Sequence, residues 1–390
     1  MMNSNSAGNF FKKYTMVIAL ILVILFFSFS TGGKILYPQN INNLLSQNAY
    51  VFVLATGMLL CILTGGNIDL SVGSVVCFTM GIGALMLKAG LPMILAVLAM
   101  LGVGLAVGMF QGFWIAWVSV PPFIATLAGM YAFRGLSNVI LSGYSVGVNN
   151  TTYLNVFGGG ADCYIPDFLG GSGLNLTCLA LGVIVALIIF AFSVHGMSVR
   201  KKLGINSGST AGELLKTAVI AALVIWLFYT LSRYKGIPTV LLWIALVLLL
   251  YGYITTNTAI GRYFYAVGGN EKATRLSGVN TKMVYFLAYA NMGLLAGFAG
   301  ILTLARAGHA EPTYGQGYEM DAIAACFIGG ASAYGGVGKV TGVIIGATLM
   351  GVINQGMSIM GMSANYQSAV KGVVLLVAVL VDVVTKKENA

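Results

Sequence analysis

Eleven apolar runs, each at least 15 residues long, recur along this chain and leave little choice of fold. They are Tyr14–Phe29, Ala49–Thr64, Ser71–Leu87, Leu91–Val118, Phe123–Leu141, Leu174–Ser193, Thr217–Leu231, Pro238–Thr255, Met283–Ala305, Thr341–Gln355 and Gln367–Val384. A helix crossing the hydrocarbon of a bilayer needs about 20 mostly apolar residues. A shorter apolar piece, Asp321–Gly330, ends in glycines and reads as a broken or re-entrant helix. Such backbone is tolerated at membrane depth only where protein or a water-filled cavity satisfies it. The expectation is an all-α polytopic membrane protein with 11–12 crossings. Composition agrees: 58% of residues are hydrophobic and only 8% charged. A soluble domain carries about 25% charged residues to solvate its surface.

The net charge of +10 does not point to nucleic acid, because the basic residues are scattered between apolar runs and form no single face. With the N-terminus inside, 13 of the 20 fall in cytoplasmic segments, where Lys and Arg accumulate. Segment 142–173 has none, holds Asp162 and Asp167, and is assigned outside. The chain is therefore expected to be one membrane-spanning domain, 1–390, with both termini cytoplasmic. Its parts are a cytoplasmic N-terminus (1–13), an external segment (142–173), a basic cytoplasmic loop (194–216), a cytoplasmic segment (256–282) and a tail (385–390). Lys12 and Lys13 before the first run resemble a signal peptide, but the run is long and lacks a small-x-small cleavage pattern, so it reads as a retained span. The cysteines are scattered without ligand spacing; Cys163 and Cys178 could meet on one side of the membrane. Glycines recur every four positions at Gly104, Gly108 and Gly112, at Gly293 and Gly297, and at Gly342 and Gly346. Each set lines one helix face and admits a close neighbour. The turns "GGNIDLSVG" and "GGASAYGGVG" are weakly alike.

Catalytic signatures are absent: no GxxxxGK[ST] phosphate loop, no HExxH, and only His195 and His309, both placed in polar connections. If transport is ATP-driven, the ATP and its magnesium belong to another polypeptide, and no cofactor is expected on this one. Ionisable groups in or beside spans usually face a cavity or a partner. Asp69 and Ser71 read either as a helix cap or as a pathway wall. Asp321, with Glu319 nearby, can cap the short helix, and both are candidates for the substrate pathway; Arg134 needs an acceptor within its span, and Asp382 can pair with Lys386. Polar and aromatic side chains suited to sugar hydroxyls and ring faces are Asn67, Gln111, Trp114, Trp117, Thr126, Asn291 and Gln367. The cytoplasmic stretch Gly261–Asn280, "GRYFYAVGGNEKATRLSGVN", reads as a short helix at Asn270–Leu276 on a glycine hinge, with Gly278 free to end it left-handed.

"GGNIDLSVGS", "PPFIATLAGMYAFRG", "GRYFYAVGGNEKATRLSGVN" and "EMDAIAACFIGGASAYGGVGKVTG" together resemble the permeases of ribose-, galactose- and xylose-type bacterial ABC importers. The extra piece Val194–Pro238 resembles the xylose or multiple-sugar branch. The resemblance implies a type II importer fold in the bacterial inner membrane, moving a monosaccharide by alternating access. It implies a second permease copy, tandem-cassette ATPase subunits on the cytoplasmic side and an external sugar-binding protein. It further implies that Gly261, Arg262, Ala266, Gly268, Gly269, Asn270, Glu271, Ser277 and Gly278 belong to the ATPase-coupling segment. The alternative is an ion-coupled secondary sugar transporter, for which Asp69, Asp321 and a broken helix would suit. A membrane-embedded enzyme lacks any paired acidic or metal-binding constellation.

Overall fold

In the computed structural model, which describes residues 4–203 and 210–387, the chain is an assembly of α-helices joined by glycine-rich turns. In chain order these are α1 (Ser4–Ser30), α2 (Pro38–Gln47), α3 (Ala49–Leu63), α4 (Val72–Lys88), α5 (Met93–Ala116), α6 (Pro122–Leu141), α7 (Thr151–Phe157) and α8 (Leu176–Lys202). There follow α9 (Thr210–Ser232), α10 (Thr239–Asn257), α11 (Ala259–Gly269), α12 (Glu271–Leu276), α13 (Thr281–Ala307), α14 (Tyr318–Ile328), α15 (Val340–Ile359) and α16 (Ala364–Lys387). Seven helices are long and apolar enough to cross a membrane alone, and α2 with α3 makes an eighth span bent by 42°. The apolar parts of α1, α4 and α16 are shorter. Every apolar run read from the sequence falls on a helix, and Asp321–Gly330 falls on the short α14.

The spans are sorted by what they bury. All 15 residues of α3 are buried, as a helix apolar on every side must be when protein surrounds it. Around it stand α13, α14 and α15, forming one continuous apolar core with α4 and α5. Glycines decide how close these helices come. A Cβ on Gly293 would overlap the Gly104 carbonyl oxygen, and one on Gly108 would overlap that of Tyr289, so α5 and α13 meet backbone to backbone. Gly342 and Gly346 of α15 lie in the same way against Gly329 and Ala325. The four-residue glycine spacings are thus contact seams.

Connections on one side of the bundle carry α7 and a two-stranded ribbon, β1 (Val146–Gly147) paired antiparallel with β2 (His309–Ala310). Asn150 and Asn175 cap α7 and α8 there, accepting from Tyr153 N and Cys178 N. On the opposite side lie α11 and α12. The stretch expected as a loop at 194–216 is helical at both ends: α8 runs on through Lys202 and α9 begins at Thr210. A helix does not stop where its apolar run stops, because its hydrogen bonds continue to satisfy the backbone. Residues 204–209 and 388–390 lie outside the described residues, as do the side chains of Lys12, Lys13, Lys386 and Lys387. Cys163 and Cys178 are both buried and free, so the contemplated pairing is not made.

Candidate translocation site and coupling segment

Two breaks in the helices meet inside the bundle. Between α3 and α4 the chain leaves helix at 64–71, and between β2 and α14 it is non-helical at 311–317. Gly73 and Gly315 touch there, since a Cβ on either would overlap the other's carbonyl oxygen, and Gly315 has φ +79°. Arg134 of α6 reaches the same loop and donates to the carbonyls of Pro312 (3.0 Å) and Tyr314 (2.5 Å). Its expected acceptors are therefore backbone oxygens freed by the break. Glu319, in the first turn of α14, approaches Gly73 as well.

Beside this crossing sits the first polar cluster. Asp69 Oδ1 accepts from the backbone N–H (2.8 Å) and hydroxyl (2.7 Å) of Ser71, whose Oγ lies 2.8 Å from the Gln111 side-chain amide. All three are buried. Ser71 is the residue before α4, yet no side chain caps that helix. The cap reading of Asp69 is corrected accordingly: its carboxylate closes a local turn on Ser71 and turns no further into the helix end. Thr126 is nearby, donating to Pro122 O at 2.9 Å and facing Ile68 O at 3.5 Å.

A second cluster centres on Asp321. Its Oδ2 accepts from the Tyr50 hydroxyl (2.5 Å), the Lys371 ammonium (2.8 Å) and Asn354 Nδ2 (3.4 Å). Asp321 was expected to cap α14; instead Gly317 precedes that helix, and the Asp321 side chain turns into the protein between α3, α15 and α16. Three of its neighbours, Tyr50, Asn354 and Lys371, line a cavity of about 600 Å³ that opens toward the α7 side and that Gln367 also lines. A second cavity, about 460 Å³, opens toward the α12 side and is lined by Asn67, Pro121, Glu271 and Tyr285 among others. The remaining candidates stand apart. Asn291 accepts from the Tyr251 hydroxyl on α10, whereas Trp114 and Trp117 lie exposed on α5 and its end. Asp382 accepts from Ala333 N at 3.0 Å. His195 is exposed within α8, and His309 faces Ala307 O at 2.9 Å.

Sequence reading passed over Lys371, Tyr50 and Asn354. A lone lysine inside the apolar run Gln367–Val384 is a usable signal, since a cation there needs a partner. Tyr50 and Asn354 carry none, because only the tertiary packing brings residues so distant in sequence to one carboxylate.

The stretch 256–282 forms the capped pair α11–α12. Thr258, Asn270 and Asn280 each place a side-chain oxygen on the N–H three residues on, starting α11, α12 and α13 in turn. Gly278 has φ +86°, the left-handed end expected of it. Gly268 is wedged against the Leu63 carbonyl and Gly336, the Gly336 N–H donates to Leu63 O (3.0 Å), and the Tyr265 hydroxyl donates to Gly338 O (3.0 Å). The segment therefore rests on the end of α3 and on the second of the weakly similar turns, which itself touches the first through Gly66 and Ala333. Glu271 accepts from the hydroxyls of Thr281 (3.2 Å) and Tyr285 (3.1 Å), joining α12 to α13. Gly261 packs against the end of α10, while nothing crowds Gly269. Arg262, Ser277 and Leu276 are exposed, Leu276 at 89%.

A helical bundle with broken spans meeting at its centre, a polar cavity on each side and a short helix pair exposed on one face defines a multi-pass membrane permease. The chain belongs to the family described as "branched-chain amino acid transport system / permease component", whose model matches residues 40–379. It is 36% identical over 379 residues to the xylose transport system permease protein of Escherichia coli K12, covering 97% of this chain and 93% of that one. It is 37% identical to the xylose transport system permease protein of Haemophilus influenzae, with 97% of each covered. With the ribose import permease protein of Escherichia coli K12 it shares 34% identity over 94% of this chain and 92% of that one. No solved structure matches the chain. The expectation of a xylose- and ribose-type permease is met, and the chain is a transport component.

Proposed function

We infer that this chain is the membrane-spanning permease subunit of an ATP-driven importer that brings a monosaccharide, xylose or a related sugar, into the cell. The observation that carries this reading is the similarity over 97% of the chain to the Escherichia coli xylose permease. In this reading the α12 side faces the cytoplasm, which agrees with the basic residues of α11–α12, and the α7 side faces outward. Hydrolysis belongs to a separate ATPase carrying ATP and magnesium, this chain holding no cofactor. A second permease copy and an external sugar-binding protein complete the assembly. The exposed face of α12, Lys272, Arg275 and Leu276, is the docking surface for the ATPase. α12 is tied through Thr274 to α11, and α11 is seated on the end of α3 and the turn after α14, which gives a displacement of α12 a route to the helix breaks. The sugar's route lies between the two cavities, past Asp69, Ser71, Gln111, Thr126, Glu319 and Asp321 on one side and Asn67 on the other, with Gln367 at the outer mouth. Asn291, paired with Tyr251, supports the bundle beside it.

The test is import of labelled xylose into liposomes holding the permease, its ATPase and the binding protein. The expected result is uptake that requires enclosed ATP and survives collapse of ion gradients. Uptake that ignores ATP and disappears with a proton or sodium gradient would replace this reading with an ion-coupled carrier.

A further inference from the structure

Three polar side chains in the wall of the cavity on the α7 side are held by one carboxylate that does not itself line it. Asp321 is fully buried, and the three donors on its Oδ2 come from α3, α15 and α16. All three donors, Tyr50, Asn354 and Lys371, face the cavity. Stability does not explain this arrangement. An ion pair taken out of water pays several kcal/mol of desolvation per ion, and well-packed apolar residues do as well or better. An ionisable pair held between spans points instead to the pathway it borders.

The pairing also sets what the cavity can hold. An unpaired Lys371 would present a bare ammonium and draw an anion. Bound to Asp321 at 2.8 Å, its charge is balanced, and the charge left in this hydrogen-bonding lining is the exposed guanidinium of Arg306, which donates to Asn43 Oδ1 at 3.4 Å. Asn354 Oδ1 is buried with no protein partner, an acceptor left available on a residue that lines the cavity. Beside this polar edge, the rings of Tyr50 and Tyr318 stack with centroids 3.6 Å apart and add aromatic surface to the same lining. A pyranose ring has the matching chemistry, with hydroxyls that both donate and accept around its rim and C–H bonds on its faces. The volume of about 600 Å³ falls inside the range of about 300–1,000 Å³ usual for small-molecule sites.

We propose that this cavity is a holding site for a neutral monosaccharide, contacted by Tyr50, Asn354, Gln367 and Lys371, with Asp321 as the residue that positions Tyr50, Asn354 and Lys371. The inference rests on the transport reading above and names the site within it.

Two measurements test it. In the liposome assembly, xylose import and ATP hydrolysis are measured together for the Lys371→Met protein. Losing a hydrogen bond to a charged group is worth about 1.5–3 kcal/mol, or roughly a tenfold to hundredfold change. Xylose moved per ATP hydrolysed should therefore fall at least about tenfold, while hydrolysis stimulated by the loaded binding protein stays within about twofold. A purely structural role would lower both and keep their ratio, and an unchanged ratio overturns the proposal. The second measurement needs no ATPase. The native cysteines are all buried, so a Gln367→Cys permease offers its one accessible thiol in the cavity mouth. Xylose should slow its reaction with a maleimide more strongly than xylonate, an anion of similar size, does. Adding Asp321→Asn should reverse that preference. Equal protection by the two probes, or none, sinks the site. Protection by xylose without ATP-driven import would fault the proposed function and leave the cavity's assignment intact.

Discussion

The α5–α13 seam and the α8–α9 hairpin are made of the same kinds of residue and are held by different forces. In α13, 72% of the most apolar stretch is buried in the protein; in α8 and α9 the figure is 17% each. Both pairs are apolar enough to enter a membrane, so hydrophobicity cannot separate them. Glycine placement does. Gly104, Gly108, Gly293 and Gly297 bring two backbones into contact, whereas a Cβ on Gly196 of α8 would meet nothing. Lipid is as apolar as leucine, so helices associate in a membrane through close packing and polar contacts and gain little from excluding hydrocarbon. The hairpin has its own version of this economy: Gly182 lies against Phe228, the hydroxyls of Ser193 and Thr217 are 2.7 Å apart, and a small apolar cluster joins its outer end to α2.

The largest expected effect comes from breaking the seam. In Gly293→Val the new side chain would have to displace the Gly104 carbonyl, which is backbone on a helix already pinned by Gly108. Overpacking of a tight core typically costs about 1–3 kcal/mol, and backbone-to-backbone contacts sit at the upper end or beyond. The expectation is permease that inserts but is lost to aggregation on extraction, read by size-exclusion chromatography. A monodisperse, active variant would show that the seam has slack. A smaller and more selective effect is expected at the coupling segment. Gly268→Ala meets the Leu63 carbonyl and should lower ATP-driven transport several-fold at normal protein level, while Gly269→Ala, with open space, should be close to neutral. Equal losses at both positions would mean that the glycine pair acts through hinge flexibility and not through its seat on the turns.

How much of this was readable follows the range of the interactions. The spans, the glycine seams, the short α12 and its left-handed end at Gly278 are local or periodic features, and the sequence carries them openly. α2 was missed because "PQNINNLLSQ" is polar; its helix exists because Pro38 begins it and the protein buries Ile41, Asn42 and Leu44. Asp321 was singled out as a cap or a pathway residue, and neither reading foretold its partners, which lie at 50, 354 and 371 in the chain. No spacing rule links those positions. The one available hint was Lys371, a cation in an apolar run, which demanded a carboxylate somewhere in the bundle. Glu271 shows the same limit on a smaller scale, since its ties to Thr281 and Tyr285 depend on how α12 folds back on α13.

The periphery should respond in the opposite sense. Gly196→Ala adds a methyl group where no atom stands within 4 Å, so the helix gains alanine's propensity of up to about 1 kcal/mol with no packing cost. Extracted Gly196→Ala protein should melt slightly higher than the parent, and a lower Tm would reveal an unsuspected neighbour for α8 in the assembled complex.

The smallest effect lies where the hairpin is tied to the external segment. The N–H of Gly171, then the N–H and hydroxyl of Thr177 and the N–H of Leu176, hold the Asp167 carboxyl well below the usual carboxylate range. Those last two amides open α8, so the carboxylate also sits at a helix N-terminus, where negative charge is favoured. A carboxyl depressed in the folded state stabilises it fully above its unfolded pKa of about 3.9, and that contribution drains away as pH falls toward the folded value. The difference in Tm between the parent and Asp167→Asn should therefore be constant near neutral pH and shrink below about pH 4. The same pH series on Gly293→Val should show no such convergence, because its defect is steric and carries no proton. Convergence in both would assign the acid sensitivity to the bundle as a whole and remove the distinction between a packed seam and a tethered hairpin.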